Sequence, residues 1–92
     1  MGKILVVDDM AAIRTSLREI LEEEKHEVEE AKDGEEALKK LQSEYFDVAF
    51  CDIKMPKIDG IELLERVKKE GIGTTFFMIS AHGTKETALE SI

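Results

Sequence analysis

The sequence contains no tryptophan, one proline and one cysteine, and only 5% of its residues are aromatic. A single cysteine, Cys51, excludes an internal disulfide, and its position inside an apolar run favours a packing role. No run of 18 apolar residues occurs, so we expect no transmembrane helix. The core must be built mainly from aliphatic side chains, which 42% hydrophobic residues in a chain of 92 can supply.

Basic residues are also scarce, with 13 Lys and Arg against 21 Asp and Glu and a net charge of −8. Without a basic patch, direct binding to nucleic acid is not expected. Acids gathered at one place would instead suit a metal cation. The apolar run at the start is too short for a signal peptide. We therefore expect one small cytoplasmic domain over residues 1–92.

Apolar and β-branched runs alternate along the chain with segments of helical periodicity. Three strands are predicted on this basis, at Ile4–Val7, Asp47–Cys51 and Thr74–Ile79, and the acidic segment Glu27–Ala31 between helical segments is a candidate for a fourth. Such alternation predicts an α/β fold with a parallel sheet, helices on both faces and right-handed crossovers. The acids of the second strand indicate an edge position in the sheet.

Two helix starts carry a capping pattern, because Asp33 and Asp59 are each followed three residues later by glutamate. In the first helix, periodicity predicts that Arg14 and Arg18 lie on the side away from the core. Hydrophobic positions predicted to face the core include Ile20, Tyr45 and Ile61.

Polar side chains follow three of the four predicted strands at the point where each strand ends. Asp8 and Asp9 follow the first strand, Asp52 follows the third, and Ser80 follows the fourth. Because the carboxyl ends of parallel strands meet at one edge of the sheet, we expect these side chains to converge. Each residue alone has a plainer interpretation as a helix start or a turn. Their conjunction fits capping or packing poorly and favours a site.

This set of groups suits phosphoryl transfer to a carboxylate. Carboxylates are the nucleophiles of aspartyl-phosphate chemistry, and attack by an anion on an anionic donor needs a cation between them. Mg²⁺ binds a few carboxylates, keeps several waters and accepts phosphate oxygens. We predict that Asp52 is the nucleophile, that Asp9 and Asp52 bind Mg²⁺ directly, and that Asp8 binds it through water. The backbone carbonyl of Lys54 would fill a further position.

Several motifs resemble the response-regulator receiver domains of bacterial two-component signalling, and together they span the chain. They are Lys3–Asp9, Ala31–Leu38, Asp52–Gly60 and Ser80–Ala81. The resemblance implies a flavodoxin-like doubly wound sheet with strand order 2-1-3-4. It also implies phosphoryl transfer to Asp52 from the phosphohistidine of a sensor histidine kinase, with at most self-catalysed transfer and dephosphorylation rather than turnover as an enzyme.

The same resemblance assigns roles beyond the acids. Ser80 would hydrogen-bond the phosphoryl group, Ala81 would leave room for it, and movement of Ser80 would shift the last loop and helix to control an output domain or protein. More narrowly, His82–Thr84 and Glu86–Ala88 resemble the receivers of nitrogen-regulator-type sigma-54 activators.

The sequence departs from the family pattern at its end, where the family's fifth strand, fifth helix and phosphoryl-pairing lysine are not found. We expect that loss of this cation impairs switching, and that Lys54 or Lys57 substitutes for it only in part. We also expect an open sheet edge, an association hazard. The alternative function is therefore a truncated or engineered receiver that associates as a homodimer or swapped oligomer.

Two other function classes remain open from the residues. An aspartyl-phosphate hydrolase usually carries a second acid two residues after the nucleophile, where this chain has Lys54. A flavodoxin-like cofactor binder needs hydroxyls and backbone donors after the first strand, and Asp8 and Asp9 would repel a phosphate there.

Overall fold

The computed structural model describes residues 2–79, in which strands and helices alternate. The elements are β1 (Lys3–Val7), α1 (Ala11–Glu23), β2 (Glu27–Ala31), α2 (Gly34–Ser43), β3 (Val48–Asp52), α3 (Gly60–Lys69) and β4 (Thr75–Ile79). All the strand pairs are parallel, and the sheet order is β2-β1-β3-β4. The predicted fold class and strand order are confirmed.

The core lies in two layers, one on each face of the sheet. The larger layer joins alternate residues of the strands, such as Leu5 and Ala49, to buried side chains of α2 and α3. The smaller layer joins strand residues that point to the opposite face of the sheet, such as Val6 and Val28, to partly buried leucines of α1. Because side chains alternate across a strand, β1 contributes to both layers and becomes the buried centre of the fold.

The capping prediction is confirmed at both helices. The Asp33 carboxylate accepts a hydrogen bond from the Glu36 backbone N–H at 2.8 Å, and Asp59 accepts one from Glu62 at 2.9 Å. Gly71, with φ of +74°, follows the end of α3 in the left-handed conformation that glycine adopts at low cost.

Three residues predicted to face the core are instead exposed to solvent. The exposed fractions are 57% for Ile20, 60% for Tyr45 and 47% for Ile61. Each helix contacts the sheet through a narrow stripe, so apolar residues at the margin of the stripe remain in water. Tyr45 lies beyond the end of α2, and its neighbour Phe46 is fully buried in its place.

The prediction for the arginines of α1 was also wrong, because both face the edge strand β2. The guanidinium Nε of Arg14 lies 3.0 Å from Glu30 Oε1, and that of Arg18 lies 2.7 Å from Glu30 Oε2. Glu30 therefore draws both arginines toward the sheet. Within residues 2–79, β2 lies at one edge of the sheet, as predicted.

Cys51 lies in β3 and is fully buried, as its packing role predicted. Burial, aided by the nearby charges of Asp52 and Asp8, raises the pKa of its thiol to about 12. In residues 2–79, none of the helices has the length and apolar character required to cross a bilayer.

Candidate metal centre

Three carboxylates meet at the carboxyl edge of the two central strands. Asp8 and Asp9 directly follow β1, and Asp52 is the last residue of β3, the strand paired with β1. One oxygen from each carboxylate can be chosen so that all three lie within 4.8 Å of one another. Asp8 and Asp52 are fully buried and Asp9 is partly buried. The predicted convergence of the acids is confirmed.

The backbone on both sides holds Asp8 in place. Its N–H donates to the carbonyl oxygen of Ala31 at 3.1 Å, which continues the pairing of β1 with β2. Its side-chain Oδ1 accepts a hydrogen bond from the N–H of Met10 at 2.9 Å. The N-cap position of α1 is occupied by Met10, which makes no side-chain cap. The acid pair therefore directly precedes the start of α1, but neither acid is its N-cap residue.

Asp52 is fixed by the segment that follows it. The N–H of Ile53 donates to the carbonyl oxygen of Ile79 at 3.1 Å, and its carbonyl accepts from the N–H of Gly60 at 2.7 Å. The start of α3 is thereby drawn back against the end of β3. A loop anchored at both ends can hold the Asp52 carboxylate at the edge of the sheet.

The spacing of the three acids suits one small divalent cation. Oxygen ligands at about 2.1 Å from Mg²⁺ are separated from one another by roughly 3 to 4 Å in an octahedron. Oxygens within 4.8 Å of one another need only small side-chain movements, or an intervening water, to share one ion. The donor set consists of oxygen atoms, which Mg²⁺ prefers. The residues therefore fit the predicted cation.

The remaining predicted site residues are two lysines and the residues from Ser80 onward. Lys54 is exposed in the loop after β3, and a role for its carbonyl stays a prediction. Lys57 is directed to the start of α2, with its Nζ 3.6 Å from Asp33 Oδ2. Ser80 and Ala81, like the His82–Ala88 segment, lie outside the described residues, so their roles stay predictions.

Sequence reasoning missed one residue that contacts the site. The Nη1 of Arg14 donates a hydrogen bond of 2.7 Å to the backbone carbonyl of Asp8. Arg14 lies in the first turns of α1, where the helix dipole disfavours a cation. A basic residue at that unfavourable place, just after two acids, was the available signal.

The family and its solved structures agree with this geometry. The family model for the response regulator receiver domain matches residues 4–92. Among curated relatives, the alkaline phosphatase synthesis transcriptional regulatory protein PhoP of Bacillus subtilis is 42% identical over 79 residues, which cover 86% of this chain and 33% of PhoP. The chain thus spans about a third of the length of that relative.

Two solved structures concern the response regulator TrrA of Thermotoga maritima. TrrA in complex with Mg²⁺-BeF is 40% identical, with a TM-score of 0.83, and the match covers 99% of this chain and 79% of TrrA. The complex of TrrA with the histidine kinase ThkA matches at 41% identity and a TM-score of 0.80, covering 87% of this chain and 69% of the matched chain. On its sequence, its strand order and its acid cluster, the chain belongs to the response regulator receiver domain family of two-component signalling.

Proposed function

We propose that this domain accepts a phosphoryl group on Asp52 in a reaction that depends on Mg²⁺. The observation that carries the proposal is the meeting of three carboxylate oxygens within 4.8 Å of one another at the ends of β1 and β3. Asp9 and Asp52 would hold the ion directly, Asp8 would hold it through water, and the Lys54 carbonyl would complete the protein ligands. When bound, Mg²⁺ supplies positive charge that offsets the negative charge of the carboxylates and the phosphoryl oxygens.

The chemical step is a displacement at phosphorus. One carboxylate oxygen of Asp52 forms a new bond to phosphorus while the bond between phosphorus and the donor's leaving group breaks. The leaving group departs with that electron pair, and Asp52 becomes an acyl phosphate. Asp52 suits this role because the hydrogen bonds of Ile53 to Ile79 and Gly60 anchor the chain beyond it. Ser80 would then hydrogen-bond the phosphoryl group, and Ala81 would leave space for it.

The test is incubation of the chain with acetyl phosphate and Mg²⁺, followed by intact mass measurement. We expect a gain of one phosphoryl group, which is lost in Asp52→Asn and when a chelator replaces the metal. Asp47→Asn is a matched control, because Asp47 is an exposed acid at the opposite end of β3. Absence of the gain in the parent chain, or its persistence in Asp52→Asn, would contradict the proposal. Repeated hydrolysis of added phosphate esters would instead indicate a hydrolase.

A sensor histidine kinase is the proposed phosphoryl donor. The solved complex of the relative TrrA with the kinase ThkA supports this assignment. The relative PhoP is a transcriptional regulatory protein of which this chain spans a third, which supports an output region under control of the domain. We accordingly propose a cytoplasmic signalling role without direct contact of this domain with nucleic acid.

Self-association is a second candidate function, and a specific surface favours it. Among residues 2–79, β4 has a strand neighbour on one side only, and its Phe77 is 52% exposed and stacks on Phe50 at 5.4 Å. Light scattering of the chain and of Phe77→Ser tests this candidate, with Tyr45→Ser as control for another exposed aromatic. Dimers weakened only by Phe77→Ser would support it, and a monomeric parent chain would overturn it.

A further inference from the structure

We propose that Arg14 is a positioning residue that sets the metal affinity of the acid cluster through the backbone between Asp8 and Asp9. This inference rests on the proposed function. It assigns a role to a side chain that carries no carboxylate and would not touch the ion.

Arg14 makes two different contacts with one guanidinium group. Its Nη1 donates to the Asp8 carbonyl oxygen at 2.7 Å, and its Nε donates to Glu30 Oε1 at 3.0 Å. The planar guanidinium fixes the angle between these donors, so the two acceptors are held in a set relationship. The Arg14 side chain is only 17% exposed, so solvent competes weakly for these hydrogen bonds.

The Asp8 carbonyl belongs to the peptide that leads into Asp9. Rotation of that peptide would turn the Asp9 side chain relative to Asp8, whose own carboxylate is already held by Met10 N–H. The N–H of Asp8 donates a hydrogen bond to the carbonyl oxygen of Ala31, which holds the peptide before Asp8. Arg14 thus supplies the contact that joins the peptide after Asp8 to the sheet, by way of Glu30 on β2.

The positive charge of the Arg14 guanidinium is paired with Glu30 and does not itself attract a cation, so its effect on Mg²⁺ comes from orientation of the Asp8 peptide. Because the group is already bound to Glu30, holding it there costs less freedom than holding an exposed lysine would. Residues that orient metal ligands in this way typically change metal affinity by about 10- to 100-fold when they are removed.

Arg18 provides a matched control one helical turn further along α1. It pairs with the same Glu30 carboxylate, at 2.7 Å, and its Nη2 donates to the carbonyl of Val28 at 3.0 Å. Val28 is the second residue of β2, toward the end of the strand that lies away from the acid cluster. Removal of either arginine therefore loosens α1 from β2, but only Arg14 touches the Asp8 carbonyl.

The experiment is a Mg²⁺ titration in which amide NMR spectra report binding of the ion. Thermal unfolding is measured separately, without metal. We expect Arg14→Gln to weaken Mg²⁺ affinity about tenfold, Arg14→Lys to recover part of it, and Arg18→Gln to change it less than about twofold. The two glutamine variants should have similar Tm values without metal. Equal affinity losses in both variants, or unchanged affinity in Arg14→Gln, would overturn the inference.

A second variant keeps the test open if Arg14→Gln fails to fold. Glu30→Gln removes the anchor of the guanidinium, and we expect it to weaken Mg²⁺ affinity more in the parent chain than in Arg14→Lys, where the anchored contact is already reduced. Equal effects in both backgrounds would contradict coupling through Arg14. If the parent chain itself does not bind Mg²⁺, or Asp52→Asn binds it as well as the parent, the proposed function fails rather than this inference alone.

Discussion

The backbone of Gly60, the first residue of α3, packs directly on the carbonyl group of Asp52. A β-carbon at Gly60 would overlap the Asp52 carbonyl oxygen and would lie 2.9 Å from the Cα of Ile53. The N–H of Gly60 also donates to the carbonyl of Ile53 at 2.7 Å. The proposed phosphoacceptor is therefore positioned by a helix start that has room for glycine alone.

Gly60→Ala should destabilise the fold. Overpacking against the backbone costs about 1 to 3 kcal/mol, because neither the Asp52 nor the Ile53 backbone can move without disturbing β3. Urea unfolding measures the loss. Gly73→Ala is the control, since no atom lies within 4 Å of a β-carbon there, and its stability should change by less than about 1 kcal/mol. Equal unfolding free energies of the Gly60 variant and the parent would show that the contact is not tight in solution.

Mg²⁺ should stabilise the parent chain. At about ten times its Kd, a ligand that binds only the folded state adds about 1.4 kcal/mol, which raises Tm by roughly 6 to 10 °C for a domain of this size. The reason is that the ion relieves repulsion among three carboxylates within 4.8 Å of one another. Thermal melts with Mg²⁺ and with chelator make the comparison, and identical melts would count against a shared cation.

Asp8→Asn should stabilise the chain without metal and should reduce the further stabilisation that Mg²⁺ provides. Without metal, removal of one buried charge from the cluster should stabilise the chain by about 1 to 3 kcal/mol, and asparagine keeps an oxygen that can accept from Met10 N–H. With Mg²⁺, the variant should gain less than the parent. If the Tm of Asp8→Asn is lower than the Tm of the parent when both are measured without metal, repulsion does not dominate at this position.

Asp33 should contribute stability that disappears in acid. The hydrogen bond from Glu36 N–H, aided by the charge of Lys57 and opposed by burial, holds the pKa of the Asp33 carboxyl below its ordinary value of 3.8. The folded state therefore favours the ionised form, so this stability is present at neutral pH and is lost as the pH falls through the lowered pKa.

The measurement is the free energy of unfolding in urea for the parent and Asp33→Ala, from neutral pH down through the lowered pKa of Asp33. At neutral pH the variant should lose about 1 kcal/mol, and the difference should shrink below about pH 4. Asp33→Asn is the control, because it keeps the capping oxygen without the titrating charge. A difference between parent and Asp33→Ala that stays constant with pH would refute the ionised cap.

Cys51 should resist alkylation in the folded state. Its side chain is fully buried, and the pKa of its thiol is raised to about 12, so little reactive thiolate is accessible at neutral pH. Mass measurement after iodoacetamide treatment should find slow labelling in buffer and fast labelling in urea. Equally fast labelling in both would mean that β3 opens readily.

Most of the fold could be predicted from the sequence because its signals are local. Capping by Asp33 and Asp59 depends on residues three positions apart, and the strands other than β2 are mainly contiguous apolar runs. Errors arose where contact with a distant element decides the outcome. Tyr45 and Phe46 are neighbours of similar character, and only packing against the core determines which one is buried.

The sequence by itself determined that acids stand at the ends of β1 and β3, since strand ends and residue types are both written along the chain. Only the tertiary structure decided that Arg14 turns toward Asp8 instead of toward solvent. The physical reason is that Glu30, on a strand that follows α1 in sequence, supplies the partner charge. The periodicity of a helix specifies which residues share one of its faces. The element that packs beside the helix specifies which residues that face contacts.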